Sequence, residues 1–243
     1  MHDPGSTCCH TESAVLFASN LRKTYNGRAV VNDISISVQP REIVGLLGPN
    51  GAGKTTAFYI IAGLIPADGG VVCFKGHDIS HMPMHRRARL GLGYLPQEES
   101  IFRKLSVVDN LLAILETRPH LNRAARLERA HDLLERFGIG KLAKAQAITL
   151  SGGEKRRLAI ARSLCSDPSL LMLDEPFAGI DPIAVEDIHR IVRELRERDG
   201  LAILITDRAF LMHDGRVILE GASLELVDDP IARKHYLGED FRM

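Results

Sequence analysis

Eight consecutive residues constrain this chain more than any others: Gly48, Pro49, Asn50, Gly51, Ala52, Gly53, Lys54 and Thr55. They follow an apolar run, Ile43 to Leu47, and lead into Thr56-Ala-Phe-Tyr-Ile-Ile-Ala62. The pattern predicts strand, glycine-rich turn and helix, with the spacing G-x-x-x-x-G-K-T of a phosphate-binding loop. Glycines leave room for successive backbone N–H groups to converge on a phosphate chain. The helix that opens near Gly53 adds the positive end of its dipole. Lys54 is placed to reach the terminal phosphates of a nucleotide, and the Thr55 hydroxyl to face Mg²⁺.

Length and charge narrow the rest. The 243 residues fit one large domain or a domain with a substantial insertion, and 45% hydrophobic content supports a sizeable core. Lys+Arg and Asp+Glu are both 31, so bulk charge gives no reason to expect a nucleic-acid partner. Cys8, Cys9, Cys73 and Cys165 form no C-x-x-C pair, and nothing suggests a disulfide framework, which fits a reducing compartment. Cys73 and Cys165 sit among apolar residues and read as small core hydrophobes. No apolar run reaches the roughly 20 residues that span a bilayer, and no leader pattern opens the chain. The expectation is a cytoplasmic protein whose membrane association comes through a partner.

The chain in order reads as strands first. Residues 1–14 are expected to form a flexible tail. Strands are expected at Leu16-Phe-Ala18 and over Val30 to Val38, where Ile34, Ile36 and Val38 alternate with Ser35 and Ser37. Tyr25-Asn-Gly27 marks a turn between them. Further strands are expected at Val71 to Phe74 and Gly91 to Leu95. The basic run His85, Arg86, Arg87 and Arg89 reads as a solvated helix face. From about 98 to 165 the pattern turns helical. Ser106 and Asn122 stand as caps, Leu127, Ala130, Leu133, Leu134 and Phe137 recur at three- and four-residue spacing, and Gly138 is a stop. Leu170 to Leu173 is a fully apolar strand, Pro182 opens a helix, and Leu201 to Ile205 is another buried strand. Asp214-Gly215 reads as a hairpin turn and Ser223 as the start of a short helix.

The strand at Leu170 ends in Asp174-Glu175. Asp174 is placed to hold Mg²⁺ through water, and Glu175 to polarise an attacking water as general base. Between the two acidic and glycine-rich motifs lies Leu150-Ser-Gly-Gly-Glu154. Together these stretches resemble the ATP-binding-cassette (ABC) ATPases, over residues 15 to 243.

The resemblance implies an α/β fold: a P-loop NTPase nucleotide-binding domain with a mixed-sheet core, an N-terminal antiparallel β subdomain and an inserted α-helical subdomain. The core would be 15–97 with 166–243, and the insertion 98–165. ATP contacts are implied at Tyr25 (which resembles the adenine-stacking aromatic, a turn tyrosine being the alternative), at Gly48 through Thr56, and at Gln97 and Asp174. Further contacts are implied at Ser151, Gly152 and Gly153, acting across a homodimer that sandwiches two ATP, and at Asp181 in the loop along the seam. Mg²⁺ would meet Thr55, Gln97 and Asp174. Two transmembrane permease subunits would dock near Gln97, Phe102 and Arg103.

Within the family, residues 93–98, 100–107, 173–182 and 236–242 are similar to the lipopolysaccharide-export branch, which would place the chain on the inner face of the inner membrane. An amino-acid importer subunit and a non-transport cassette stay open as alternatives. One departure stands out. The family carries a switch histidine and a helix after the strand that here ends Ile205-Thr206, and this chain has only Asp207-Arg208 there. The expectation is a missing segment of about a dozen residues, the length of a helical crossover, visible as a chain gap near 206–208.

Overall fold

A computed structural model of the chain describes residues 14–47, 52–98, 100–176, 182–213 and 216–222. The element order is β1 (Leu16–Tyr25), β2 (Arg28–Val38), β3 (Ile43–Leu47), α1 (Lys54–Ala62), β4 (Gly69–Phe74), β5 (His77–Asp78), α2 (Met84–Arg89) and β6 (Leu92–Leu95). It continues with α3 (Val107–Leu115), α4 (Arg123–Arg136), α5 (Gly152–Leu164), β7 (Leu170–Leu173), α6 (Pro182–Asp199), β8 (Ala202–His213) and β9 (Arg216–Ala222). The chain divides into two compact units, one running to Arg87 and resuming at Gly200, the other Ala88–Asp199.

In the first unit, β1 pairs antiparallel with β2 and β4, and β4 with β5. The inward residues Leu16, Ala18, Leu21, Ile34, Ile36 and Val38 are buried, as the alternation in the sequence requires. β1 is longer than expected. It runs on to Tyr25, because Asn26 (φ 49°) and Gly27 (φ 79°) form a two-residue turn whose left-handed pair matches strand twist, so Tyr25 pairs with Arg28. β3 runs parallel to β8, and β8 antiparallel to β9, with His213 opposite Arg216. That hairpin is the one expected around Asp214-Gly215; those two residues, like residues 1–13 and the helix expected from Ser223, lie outside the described ones.

Two expectations fail in this unit. β8 is a single strand from Ala202 to His213, so there is no interruption at 206–208. Instead the parallel ladder with β3 shifts register, from Ile43 opposite Ile203 to Val44 opposite Arg208. Arg87 is also no solvated residue. It is 2% exposed, and its guanidinium donates to the carbonyls of Ile60 (2.9 Å), Ile61 (2.7 Å), Met82 (2.7 Å) and Ser80 (3.1 Å). Ile60 and Ile61 lie in the last turn of α1; the Ile60 carbonyl also takes the N–H of the cap residue Gly63, and Arg87 adds a donor to both carbonyls. Burial lowers the Arg87 pKa to about 10, partly offset by the Asp78 carboxylate.

In the second unit, β6 and β7 pair parallel, Leu92 opposite Leu170 through Leu95 opposite Leu173. All four residues of β7 are buried. Ser106 and Asn122 accept from the N–H groups of Asp109 and Ala125, capping α3 and α4. Ala130, Leu133, Leu134 and Phe137 are buried and Leu127 half-buried; Gly138 (φ 67°) follows α4.

Candidate functional site

The first unit carries the end of the glycine-rich loop. Gly48, Pro49, Asn50 and Gly51 lie outside the described residues. Ala52 is buried, and Gly53 caps α1 at φ 92°. A side chain there would meet the backbone: a Cβ would fall 2.3 Å from the Val30 carbonyl oxygen. Lys54, Thr55 and Thr56 form the first turn of α1 and are half-buried. The helix N-terminus that the motif requires is therefore formed, with the reactive side chains on its opening turn. Tyr25 sits at the β1–β2 hairpin with 46% exposure, and the Lys23 ammonium lies 5.6 Å from its ring centroid. Lys23 also pairs with Asp68 at 2.8 Å, and Asp68 accepts the Thr24 N–H at 2.7 Å. Those two bonds hold the Asp68 pKa below the usual carboxylate value.

The second unit carries the acidic pair and the Ser-Gly-Gly helix. Because β6 and β7 are parallel neighbours in register, Pro96-Gln97 and Asp174-Glu175 leave the same end of the ladder side by side. The Gln97 amide donates to the Glu175 carboxylate at 2.6 Å. The Tyr94 hydroxyl donates to Asp174 at 3.2 Å, and Asp174 is 5% exposed. Glu175 is exposed and holds φ at 42°, a left-handed conformation that costs a non-glycine residue energy and recurs at functional turns. An exposed carboxylate oriented by an amide beside a buried carboxylate suits one base and one cation ligand. Hydroxyl, amide and carboxylate oxygens, as at Thr55, Gln97 and Asp174, are the hard donors Mg²⁺ takes.

Ser151 caps α5 through a full capping box. Its hydroxyl accepts the Glu154 N–H, while its own N–H and hydroxyl each donate to the Glu154 carboxylate at 2.8 Å. These bonds lower the Glu154 pKa. Ser151 and Gly152 are exposed and Gly153 is buried, so the positive end of α5 faces outward from its unit. Phe102 is 46% exposed, with the Arg162 guanidinium 4.9 Å from its ring. Asp181 lies outside the described residues.

The sequence reading missed Tyr94 and Arg156. The Arg156 guanidinium donates to the Pro96 carbonyl (3.1 Å) and the Asp174 carbonyl (3.3 Å). A signal was present: Arg156 is three residues after the buried Gly153 and four before the buried Ile160, on one face of α5.

Residues 31–178 match the ABC transporter family model. The chain belongs to the ABC transporter family. This cassette is 50% identical over 241 residues to the lipopolysaccharide export system ATP-binding protein LptB of Escherichia coli, covering 95% of the chain and 100% of that protein. A protein of Azorhizobium caulinodans named "Probable ABC transporter ATP-binding protein" is 54% identical over 245 residues, 96% of this chain and 86% of its own. Among solved structures, an ABC-transporter ATP-binding cassette in its ADP conformation superposes with a TM-score of 0.83 at 28% identity, covering 93% of this chain and 99% of its own. The cassette is thus an α/β P-loop ATPase. Among the described residues no helix is long and apolar enough to cross a membrane, and no cluster of three His, Cys, Asp or Glu forms a metal site.

Proposed function

We propose that this cassette hydrolyses ATP to drive extraction and export of lipopolysaccharide from the inner membrane. It would work as a homodimer with two ATP between the subunits, peripheral on the inner face of the membrane through two permease subunits. The full-length likeness to LptB supports the cargo. The observation that carries the hydrolytic reading is the Gln97–Glu175 contact at the shared end of β6 and β7. Glu175 acts as general base toward water, and Gln97 fixes its orientation. Lys54 and the backbone around Gly48 to Gly53 bind the phosphates; Thr55, Gln97 and Asp174 would hold Mg²⁺, which supplies charge neutralisation at the phosphates. Tyr25 stacks on the base, with Lys23 alongside.

The outward-facing N-terminus at Ser151 and Gly152 suits a lid on the nucleotide of a second copy, with Asp181 along the seam. The Ser151 hydroxyl donates to the Glu154 carboxylate and must rotate to reach a phosphate. Phe102 and Arg103, beside exposed Leu105 and Ile148, offer an apolar surface with a positive rim to the permease.

Glu175→Gln tests the reading. The variant should bind ATP, accumulate as a dimer and lose turnover; an unchanged rate refutes Glu175 as base. Co-purification of the native chain with membrane subunits of an amino-acid importer would refute the cargo.

A further inference from the structure

The ladder between β6 and β7 closes with the Asp174 N–H donating to the Leu95 carbonyl at 3.0 Å. Past that rung each strand turns into its loop within one residue. The Gln97–Glu175 contact lies beyond the rung, where sheet pairing no longer fixes the distance between the two backbones. The Pro96 carbonyl immediately precedes Gln97, and the Asp174 carbonyl immediately precedes Glu175. One guanidinium, that of Arg156, takes both, Nη1 on Pro96 at 3.1 Å and Nη2 on Asp174 at 3.3 Å.

We propose that Arg156 is a positioning residue for hydrolysis: its guanidinium fork, holding the two carbonyls that precede them, sets the spacing at which Gln97 meets Glu175. The proposal rests on the reading of Glu175 as general base. The planar fork matters because its two terminal nitrogens are fixed relative to each other, so holding both carbonyls fixes the gap between them. A lysine ammonium is a single point on a flexible stem and specifies no such gap. Arg156 also lies on α5, five residues after Ser151, so the helix whose N-terminus faces outward is tied through this side chain to the acidic pair.

The test is steady-state ATP hydrolysis by the full chain carrying Arg156→Lys and, separately, Arg156→Gln, with thermal melting of each. Misplacing a reacting group by about an ångström costs up to roughly a hundredfold, so kcat should fall by about tenfold to a hundredfold in both variants. KM for ATP should stay within about threefold, since uniform binding at the phosphate loop is untouched. Hydrogen exchange should accelerate over 95–98 and 173–176 while α5 keeps its protection. A kcat within about threefold of wild type, a KM that moves as far as kcat, or unchanged exchange in those two segments overturns the inference. Where either variant fails to fold, the other and its exchange profile decide. Wild-type turnover is the control that separates the two readings. An inactive wild type, or Glu175→Gln turning over at the wild-type rate, sinks the assignment of the base; an active wild type with Arg156→Lys at full kcat sinks only the role of Arg156.

Discussion

Replacing Asn110 with alanine should loosen the loop that presents Phe102 and Arg103. Asn110 is fully buried on α3. Its carbonyl oxygen accepts the Phe102 N–H at 2.7 Å, and its amide donates to the carbonyls of Phe102 (3.1 Å) and Ser106 (2.9 Å). The three bonds are not equivalent. The Phe102 carbonyl also takes the Leu105 N–H, and the Ser106 carbonyl takes the Asn110 backbone N–H, so neither is orphaned by the substitution. The Phe102 N–H loses its acceptor, at a cost of about 1–3 kcal/mol for an unsatisfied donor. The two lost donors add roughly 0.5–1 kcal/mol each at the low end of the range for neutral hydrogen bonds. The total is about 2–5 kcal/mol, which for a chain of this size lowers Tm by roughly 4–20 °C. Differential scanning calorimetry measures it. Nucleotide affinity should hold, because Lys54 and the phosphate loop are untouched, while stimulation by the permease should fall. A Tm within about 1 °C of wild type would refute the reasoning, since the loss of three hydrogen bonds to a fully buried side chain predicts more.

Gly53→Ala should abolish nucleotide binding by calorimetry and destabilise the chain by about 3 kcal/mol or more, since φ 92° and the Val30 carbonyl together leave no place for a Cβ; wild-type affinity would contradict this. The Cys165 thiol is buried and its pKa is pushed up to about 12, chiefly by desolvation, so it should resist alkylation in the native protein at pH 8, as should buried Cys73; mass spectrometry showing rapid labelling of Cys165 would count against the packing. The Glu154 carboxylate titrates below its ordinary value, so its contribution to the α5 cap is present above the unfolded carboxyl pKa and is lost as pH falls through the folded one. Glu154→Gln should therefore flatten the acid side of the Tm–pH curve, and identical acid slopes would argue otherwise.

Much of this architecture could be read in advance, and the exceptions share a physical cause. Leu170–Leu173 is wholly apolar between polar flanks, so its strand was legible to the residue. Ser106, Asn122 and Ser151 announce their helices because a cap is a local device, fixed by a side chain three residues from its donor. The partners of Arg87 and Arg156 were not legible. Each is a cation whose acceptors are backbone carbonyls, 26 and 27 residues away for Ile61 and Ile60, and 60 and 18 for Pro96 and Asp174. Carbonyls leave no mark in the sequence, so a buried arginine serving them looks like any other charge in a basic run. The outer half of β1 was missed for a related reason. Residues 22–25 are mostly exposed, and their strand is held by the Asn26-Gly27 turn rather than by an apolar alternation.

Residues 204–207 have no counterpart opposite β3, because the ladder steps from Ile203 straight to Arg208 while β3 advances by one residue. In the ladder with β3, chain within that stretch takes no part in a rung. An inserted excursion would depart after Ile203 and rejoin at Arg208 with both alignments already in place. As far as β3 is concerned, the step between Ile203 and Arg208 is the one place in this ladder where the count of residues on β8 is free to differ from that on its neighbour.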